Sequence, residues 1–137
     1  MDKKTLIEWK EEYSVGIEEI DDQHQHMVGI INDLFYIINN KEFDKVDEIY
    51  ERASQYAKYH FDTEEKYFEE FEYGDTEAHI AQHNKYNEKI LEFSKQYNQN
   101  DTPMSFQVID FLEDWWINHI QGVDKKYTEC FHDHGLK

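Results

Sequence analysis

Seven side chains able to bind metal, His24, His60, Glu64, His79, His83, His119 and Asp124, lie at spacings that four antiparallel helices can bring to one point. Five imidazoles and two carboxylates, with no thiolate among them, suit iron, manganese or zinc rather than an iron–sulfur cluster or copper(I). Seven ligands are too many for one tetrahedral zinc. Two carboxylates are a natural bridge between two ions, and the set as a whole matches what a pair of iron atoms needs.

The spacing decides which of these residues can act together. His60 and Glu64, and likewise His79 and His83, are four residues apart, which leaves only about 40° between them on a helix. Each pair therefore serves one face. His119 and Asp124 are five apart, about 140° out of phase on a regular α-helix. Either the helix is distorted there, as by a π-bulge, or it ends near Gly122 and the chain turns Asp124 inward.

Apolar stripes must position these groups. Ile17, Ile20, His24, Met27, Val28, Ile31, Leu34, Phe35 and Ile38 step by three and four, the pattern of one buried helix face. Asn39 and Asn40 suit its stop, and Asp44 suits the next N-cap. A second stripe runs from Val46 through Tyr56, His60, Phe61 and Glu64 to Phe68. Gly74 then breaks the pattern, with Asp75 or Thr76 placed to cap the third helix. The third stripe is His79, Ile80, His83, Tyr86, Ile90, Phe93 and Tyr97. Thr102 and Pro103, the only proline, start the fourth, which carries Val108, Phe111, Leu112, Trp115, His119 and Val123. Short breaks between long helices force neighbours antiparallel, so the expected fold is an all-α, up-down-up-down four-helix bundle. The chain is read as one domain over 1–137, with an N-terminal arm over 1–16 docked through Trp9 and Val15, a bundle over about 17–129 and a short C-terminal tail.

The histidines and Glu64 are in phase with the apolar stripes and so point into the core. One unpaired polar group there costs on the order of 2–7 kcal/mol. Six in register from four helices need a common partner, and a bound metal is the simplest one. Other polar candidates are weaker. His26 is out of phase and belongs on the surface, and Glu64 rather than its neighbour Glu65 faces inward. Tyr59, Phe61 and Trp115 are candidates for lining the site, and Tyr127 for a hydrogen bond near Asp124. Cys130, His132 and His134 fall in a loosely packed end.

A formal net charge of −17 sets the protein against nucleic acid and anionic membrane surfaces as partners. A single cysteine rules out an internal disulfide framework and suits a reducing compartment. The opening MDKKTLIEWKEEYSVG has no apolar run of signal-peptide length, and no stretch approaches the roughly 20 apolar residues of a membrane span. A soluble, cytoplasmic protein is the expectation.

Four segments together resemble the hemerythrins, their bacterial single-domain branch in particular. They are W-x5-V-G-I-x2-I-D-D-Q-H ending at His24, H-F-D-T-E-E from His60, H-I-A-Q-H from His79, and W-W-I-N-H-I-Q-G-V-D-K-K-Y from Trp115 to Tyr127. The resemblance runs from Trp9 to about Tyr127. It implies a non-haem centre of two iron ions with an oxo or hydroxo bridge, binding O2 reversibly. His79, His83 and His119 would hold a six-coordinate iron, His24 and His60 a five-coordinate one, and Glu64 and Asp124 would bridge them. Two departures stand out: Trp116 occupies a position where the family more usually has leucine, and the Tyr73–Gly74–Asp75 break lacks a proline found in relatives.

The implied role is oxygen carriage or storage without catalytic turnover, with O2 as ligand and room for an O2-consuming or electron-donating partner. The alternative is a di-iron redox enzyme, or a sensor of O2 or NO, using the same centre. An oxidase of the ferritin type would show two Glu-x-x-His pairs. The only such pair is Glu129–His132, outside the stripes, which favours binding.

Overall fold

The computed structural model describes residues 6–96 and 102–137. Four long helices form the bundle: α1 (Glu18–Asn39), α2 (Val46–Glu70), α3 (Thr76–Gln96) and α4 (Thr102–Asp114). The chain of α4 runs on without a break into a π-helical segment, Trp115–Val123, then a 3₁₀ turn, Asp124–Tyr127, and a last helix, α5 (Thr128–Asp133). Among the described residues there is no strand, and no helix is long and apolar enough to cross a membrane.

The antiparallel order follows from side chains that meet across the seams. Gln23 reaches Thr63 and His60 near one end of the α1–α2 pair, and Asp33 meets Arg52 further along. Tyr86 of α3 donates its hydroxyl to the Ala53 carbonyl of α2, and its ring packs on Phe111 of α4. The all-α bundle expected from the stripes is the observed fold.

The turns differ in detail from the sequence reading. α1 stops at Asn39 as expected, with Asn40 capping, but the left-handed residue that closes it is Lys41 (φ 55°). The Glu42 and Lys41 amides return to the carbonyls of Ile37 and Ile38, a Schellman closure. α2 ends the same way through Glu72 (φ 52°), so the break begins two residues before Gly74. Asp44 is not the N-cap of α2. It lies inside a 3₁₀ turn, Phe43–Lys45, that leads directly into the helix. Neither closure uses a glycine, and no side-chain cap bonds the start of α2. Tyr97 of the third stripe and residues 1–5 of the arm lie outside the described residues.

The core is two apolar clusters. The larger includes Met27, Ile31, Leu34, Ile49, Ala57, Phe61, Tyr86, Leu112, Trp115 and Ile120. The smaller joins Val15, Ile17, Ile20, Phe68, Tyr127 and Phe131. His24, His60, Glu64, His79, His83, His119 and Asp124, all buried, fall between the two along their helices. The apolar core is thus interrupted by one polar layer.

The arm docks as expected: Val15 is buried in the smaller cluster, and Trp9 packs on Tyr13 and Trp116. The Asn32 side chain holds it, accepting from the Leu6 and Ile7 amides and donating to the Ile7 carbonyl. The C-terminal end is more ordered than its sequence suggests. Phe131 of α5 is fully buried, and His132 Nε2 donates to the Gly16 carbonyl at 2.7 Å. α5 is too short for a clear stripe, which is why periodicity passes over it.

Two glycines should respond oppositely to alanine. Gly16 has φ +77°, and a Cβ there would lie 3.0 Å from His132 Cε1. Gly16→Ala should cost about 1–3 kcal/mol in urea unfolding. Gly29 sits mid-helix with nothing within 4 Å of an added Cβ, so Gly29→Ala should stabilise by about 0.5–1 kcal/mol.

Candidate metal centre

Each helix contributes to the polar layer from a buried face. α1 supplies His24, α2 supplies His60 and Glu64, α3 supplies His79 and His83, and the π-helical segment with the turn after it supplies His119 and Asp124. The five-residue interval is resolved by the π-helix. The Asp124 amide bonds to the His119 carbonyl, an i→i+5 pairing that sets the two residues one above the other. Helix distortion, rather than an end at Gly122, is how the chain aims both inward.

The distances divide the layer in two. Asp124 Oδ1 lies 2.8 Å from His79 Nε2 and 3.0 Å from His119 Nε2, while Oδ2 lies 3.0 Å from His24 Nε2 and 3.9 Å from His60 Nε2. Glu64 Oε1 lies 3.1 Å from His83, 3.3 Å from His60 and 3.8 Å from His79. Two overlapping groups result, Glu64–His79–His83–His119–Asp124 and His24–His60–Glu64–Asp124, with ligand atoms in each within 4.8 Å of one another. Both carboxylates belong to both groups.

These donors fit a metal. Both Glu64 oxygens, Asp124 Oδ1 and the Nε2 atoms of His60, His79, His83 and His119 are buried without a well-aligned hydrogen-bond partner among the described residues. They approach closely but lack the alignment of hydrogen bonds, as ligands facing a shared centre would. Left so, these polar atoms would forfeit their hydration for almost nothing. The donor chemistry, imidazole and carboxylate, suits iron.

Neighbouring side chains fix three of the rings. His60 Nδ1–H donates to Gln23 Oε1, His119 Nδ1–H to Gln82 Oε1 at 2.7 Å, and His83 Nδ1–H to Glu65 Oε2 at 2.9 Å. Each bond leaves Nε2 free to face the carboxylates. Sequence reasoning misses all three partners. Glu65 does face away from Glu64, yet it is close enough to hold His83. Gln23 and Gln82 each sit one residue before a site histidine, a signal that adjacency alone could have offered.

Aromatic rings clamp the same imidazoles. Phe61 stacks on His83 (3.8 Å between centroids, 5° between planes) and Trp115 on His119 (3.9 Å, 12°). Tyr59, a candidate for lining the site, is instead 65% exposed. The tyrosine that stacks on His60, at 5.2 Å, is Tyr56, one helical turn before it on the same face. Trp116 is buried edge-on to His24 at 6.5 Å and is itself backed by Trp9 and Tyr13. Tyr127 packs on His79, and its buried hydroxyl faces Glu64 rather than bonding to Asp124; burial and the Glu64 charge push its pKa well up. His26 is on the surface as expected.

Charge within the layer is mutually dependent. Burial alone would raise the pKa of Asp124, but the surrounding His119, His24 and His60 hold it well below the usual carboxylate range. Burial and the Asp124 charge push Glu64 upward, and His60 and His83 more than offset this, leaving it lowered. His83 is raised: burial opposes the charged ring, but Glu64 and Glu65 outweigh it. For His119 burial wins, and its pKa is lowered.

Comparison with known proteins agrees with this geometry. A family model described as the hemerythrin HHE cation binding domain matches residues 15–130. The chain is 27% identical to a bacteriohemerythrin of Clostridium acetobutylicum, covering 90% of this chain and 100% of that protein. It is 26% identical to one from Methylococcus capsulatus, covering 91% and 96%. Among solved structures, a wild-type hemerythrin superposes with a TM-score of 0.78 at 26% identity, over 91% of this chain and 97% of that one. A leucine-to-tyrosine variant of a hemerythrin gives 0.79, over 93% and 98%.

Stripping metal should leave the layer uncompensated and lower Tm by roughly 10 °C in calorimetry. An unchanged Tm would remove the metal from the account. In the stripped protein, Asp124 and Glu64 have depressed folded pKa values. Their stabilisation is present above the unfolded value of about 4 and is lost as pH falls through the folded ones. Asp124→Asn should therefore flatten the decline of stripped-protein Tm below about pH 4.

Proposed function

Because the chain belongs to the hemerythrin family, we propose that it binds O2 reversibly at a centre of two iron ions, as a carrier or store rather than an enzyme. The observation that supports this most is the sharing of Glu64 and Asp124 between two ligand groups of five and four residues. Two carboxylates common to both groups are what a bridged pair requires, and one bridging oxygen would bring the two sites to six and five ligands. The site with fewer ligands, His24 and His60 with the two bridges, is where a small ligand would bind.

Iron in both positions would supply the electrons that hold O2 and take them back on release. The protein's own residues would do the rest. His24, His60, His79, His83 and His119 would bind through Nε2, with Gln23, Glu65 and Gln82 setting the tautomer of three of them. Trp116 beside His24, Tyr56 against His60 and Phe61 against His83 wall the layer with apolar rings. Such a wall keeps water from the bound ligand. Trp116, buried edge-on to His24, fills that side of the layer with an indole ring.

A redox enzyme on this scaffold finds less support. The single Glu-x-x-His pair, Glu129–His132, sits at the bundle end, with His132 engaged on the Gly16 carbonyl. Histidine, not carboxylate, dominates the layer. With its one cysteine and its acidic surface, the protein is read as cytoplasmic, without nucleic acid or membrane as partners.

An iron assay joined to an optical titration tests the reading. About two irons per chain are expected. The visible band should bleach on anaerobic reduction, return with O2 and vanish again under vacuum. Conversion to a ferric form with no O2-dependent band would shift the function to redox catalysis or ligand sensing.

A further inference from the structure

Tyr56 lies one helical turn before His60 on α2, and its ring stacks on that imidazole with 5.2 Å between centroids and 18° between planes. The side chain is 7% exposed, and its hydroxyl is buried without a hydrogen-bond partner among the described residues. That hydroxyl faces the polar layer. Burial first, then the nearby Asp124, Tyr86 and Glu64, push its pKa well up, so it keeps its proton and remains a donor. A donor held there gives up its hydration with no partner in return, a loss that phenylalanine at the same position would avoid.

The polar groups around it are otherwise engaged. Gln23 accepts from His60 Nδ1 and donates to Thr63 Oγ1, and Tyr86 donates its hydroxyl to the Ala53 carbonyl. Trp115 Nε1 is also buried and unpaired, but its ring stacks on His119, in the five-residue group that a bridging oxygen would complete. Tyr56 instead stands on His60, in the four-residue group that would keep a position open.

We propose that the Tyr56 hydroxyl donates a hydrogen bond to the small ligand bound on the His24–His60 side of the layer. This inference rests on the di-iron reading and deepens it by naming the class of ligand. The donor selects a small molecule whose far end carries a lone pair and negative charge, because a bond to a charged acceptor is among the stronger ones. The hydroxyl is already aimed and dry before the ligand arrives, so binding satisfies a donor that the chain leaves unpaired.

Azide, a linear anion, is the probe, titrated optically into the ferric, iron-loaded protein and followed by its infrared stretch. Tyr56→Phe keeps a ring against His60 and removes only the oxygen. Tyr86→Phe is the control, since that hydroxyl is engaged on Ala53. Tyr56→Phe should weaken azide binding about 10-fold and reduce the H2O–D2O difference in the azide stretch, with less than about 2-fold change in the control. Stripped of metal, the two variants should part in the opposite sense. Tyr56→Phe should then melt no lower than the unsubstituted protein, and Tyr86→Phe about 2–4 °C lower. In the unsubstituted, iron-loaded protein, azide should shift the tyrosine bands in ultraviolet resonance Raman as an unpaired hydroxyl becomes a donor. Undiminished azide affinity in Tyr56→Phe, or no tyrosine shift in the unsubstituted protein, would overturn the proposal. So would a stripped Tyr56→Phe that melts as low as Tyr86→Phe, because the hydroxyl would then be holding the fold. Fewer than two irons in the unsubstituted protein would defeat the di-iron reading instead, and the stripped-protein comparison would still judge the Tyr56 hydroxyl.

Discussion

Everything in this bundle answers to the burial of two carboxylates among five imidazoles. Ionised groups out of water are costly unless opposing charge and directed ligands surround them. Here Asp124 and Glu64 are each approached by Nε2 atoms from three or four histidines, and no solvent reaches them. The layer can form only if all four helices present the right face at the same height. The apolar clusters on either side enforce that height, and the stacked rings of Phe61, Trp115 and Tyr56 enforce the angle. The layer is thus a condition on the packing as well as its product.

How far this is legible in the sequence depends on which physical signal carries each part. Helical phase alone places His24, His60, Glu64, His79, His83 and His119 in the core, because a polar residue in an apolar stripe has nowhere else to point. Asp124 stands out of phase, and the sequence leaves two explanations open. Only the backbone distinguishes a π-helical turn from a helix end. Gln23, Glu65 and Gln82 escape notice because they lie at the edges of the stripes, where phase does not say whether a side chain turns toward a histidine or toward water. Tyr59 and Tyr56 are indistinguishable by type, and helical phase alone separates the exposed ring from the buried one.

The helix ends are the least legible feature. Lys41 and Glu72 take left-handed conformations usually left to glycine, and each closes a Schellman turn. Local preference is overridden there by long-range packing that fixes where the chain must leave the bundle. The C-terminal α5 shows the same override. Its six residues are too few to show periodicity, yet Phe131 completes the smaller cluster, and the Thr128 hydroxyl and His132 imidazole bond to the Val15 and Gly16 carbonyls.

The π-helical segment does more than aim Asp124. Val108, Leu112, Trp115 and His119 follow steps of four, three and four, and Asp124, Tyr127 and Phe131 follow steps of three and four. The interval of five between His119 and Asp124 is one residue longer than either rhythm allows. It works as a slipped gear tooth: the last helix leaves the larger cluster in one phase and joins the smaller in another. The two halves of the core therefore keep separate time. A substitution that repacks one apolar cluster need not propagate its strain through the fourth helix to the other, because the wider turn at the polar layer takes up the difference.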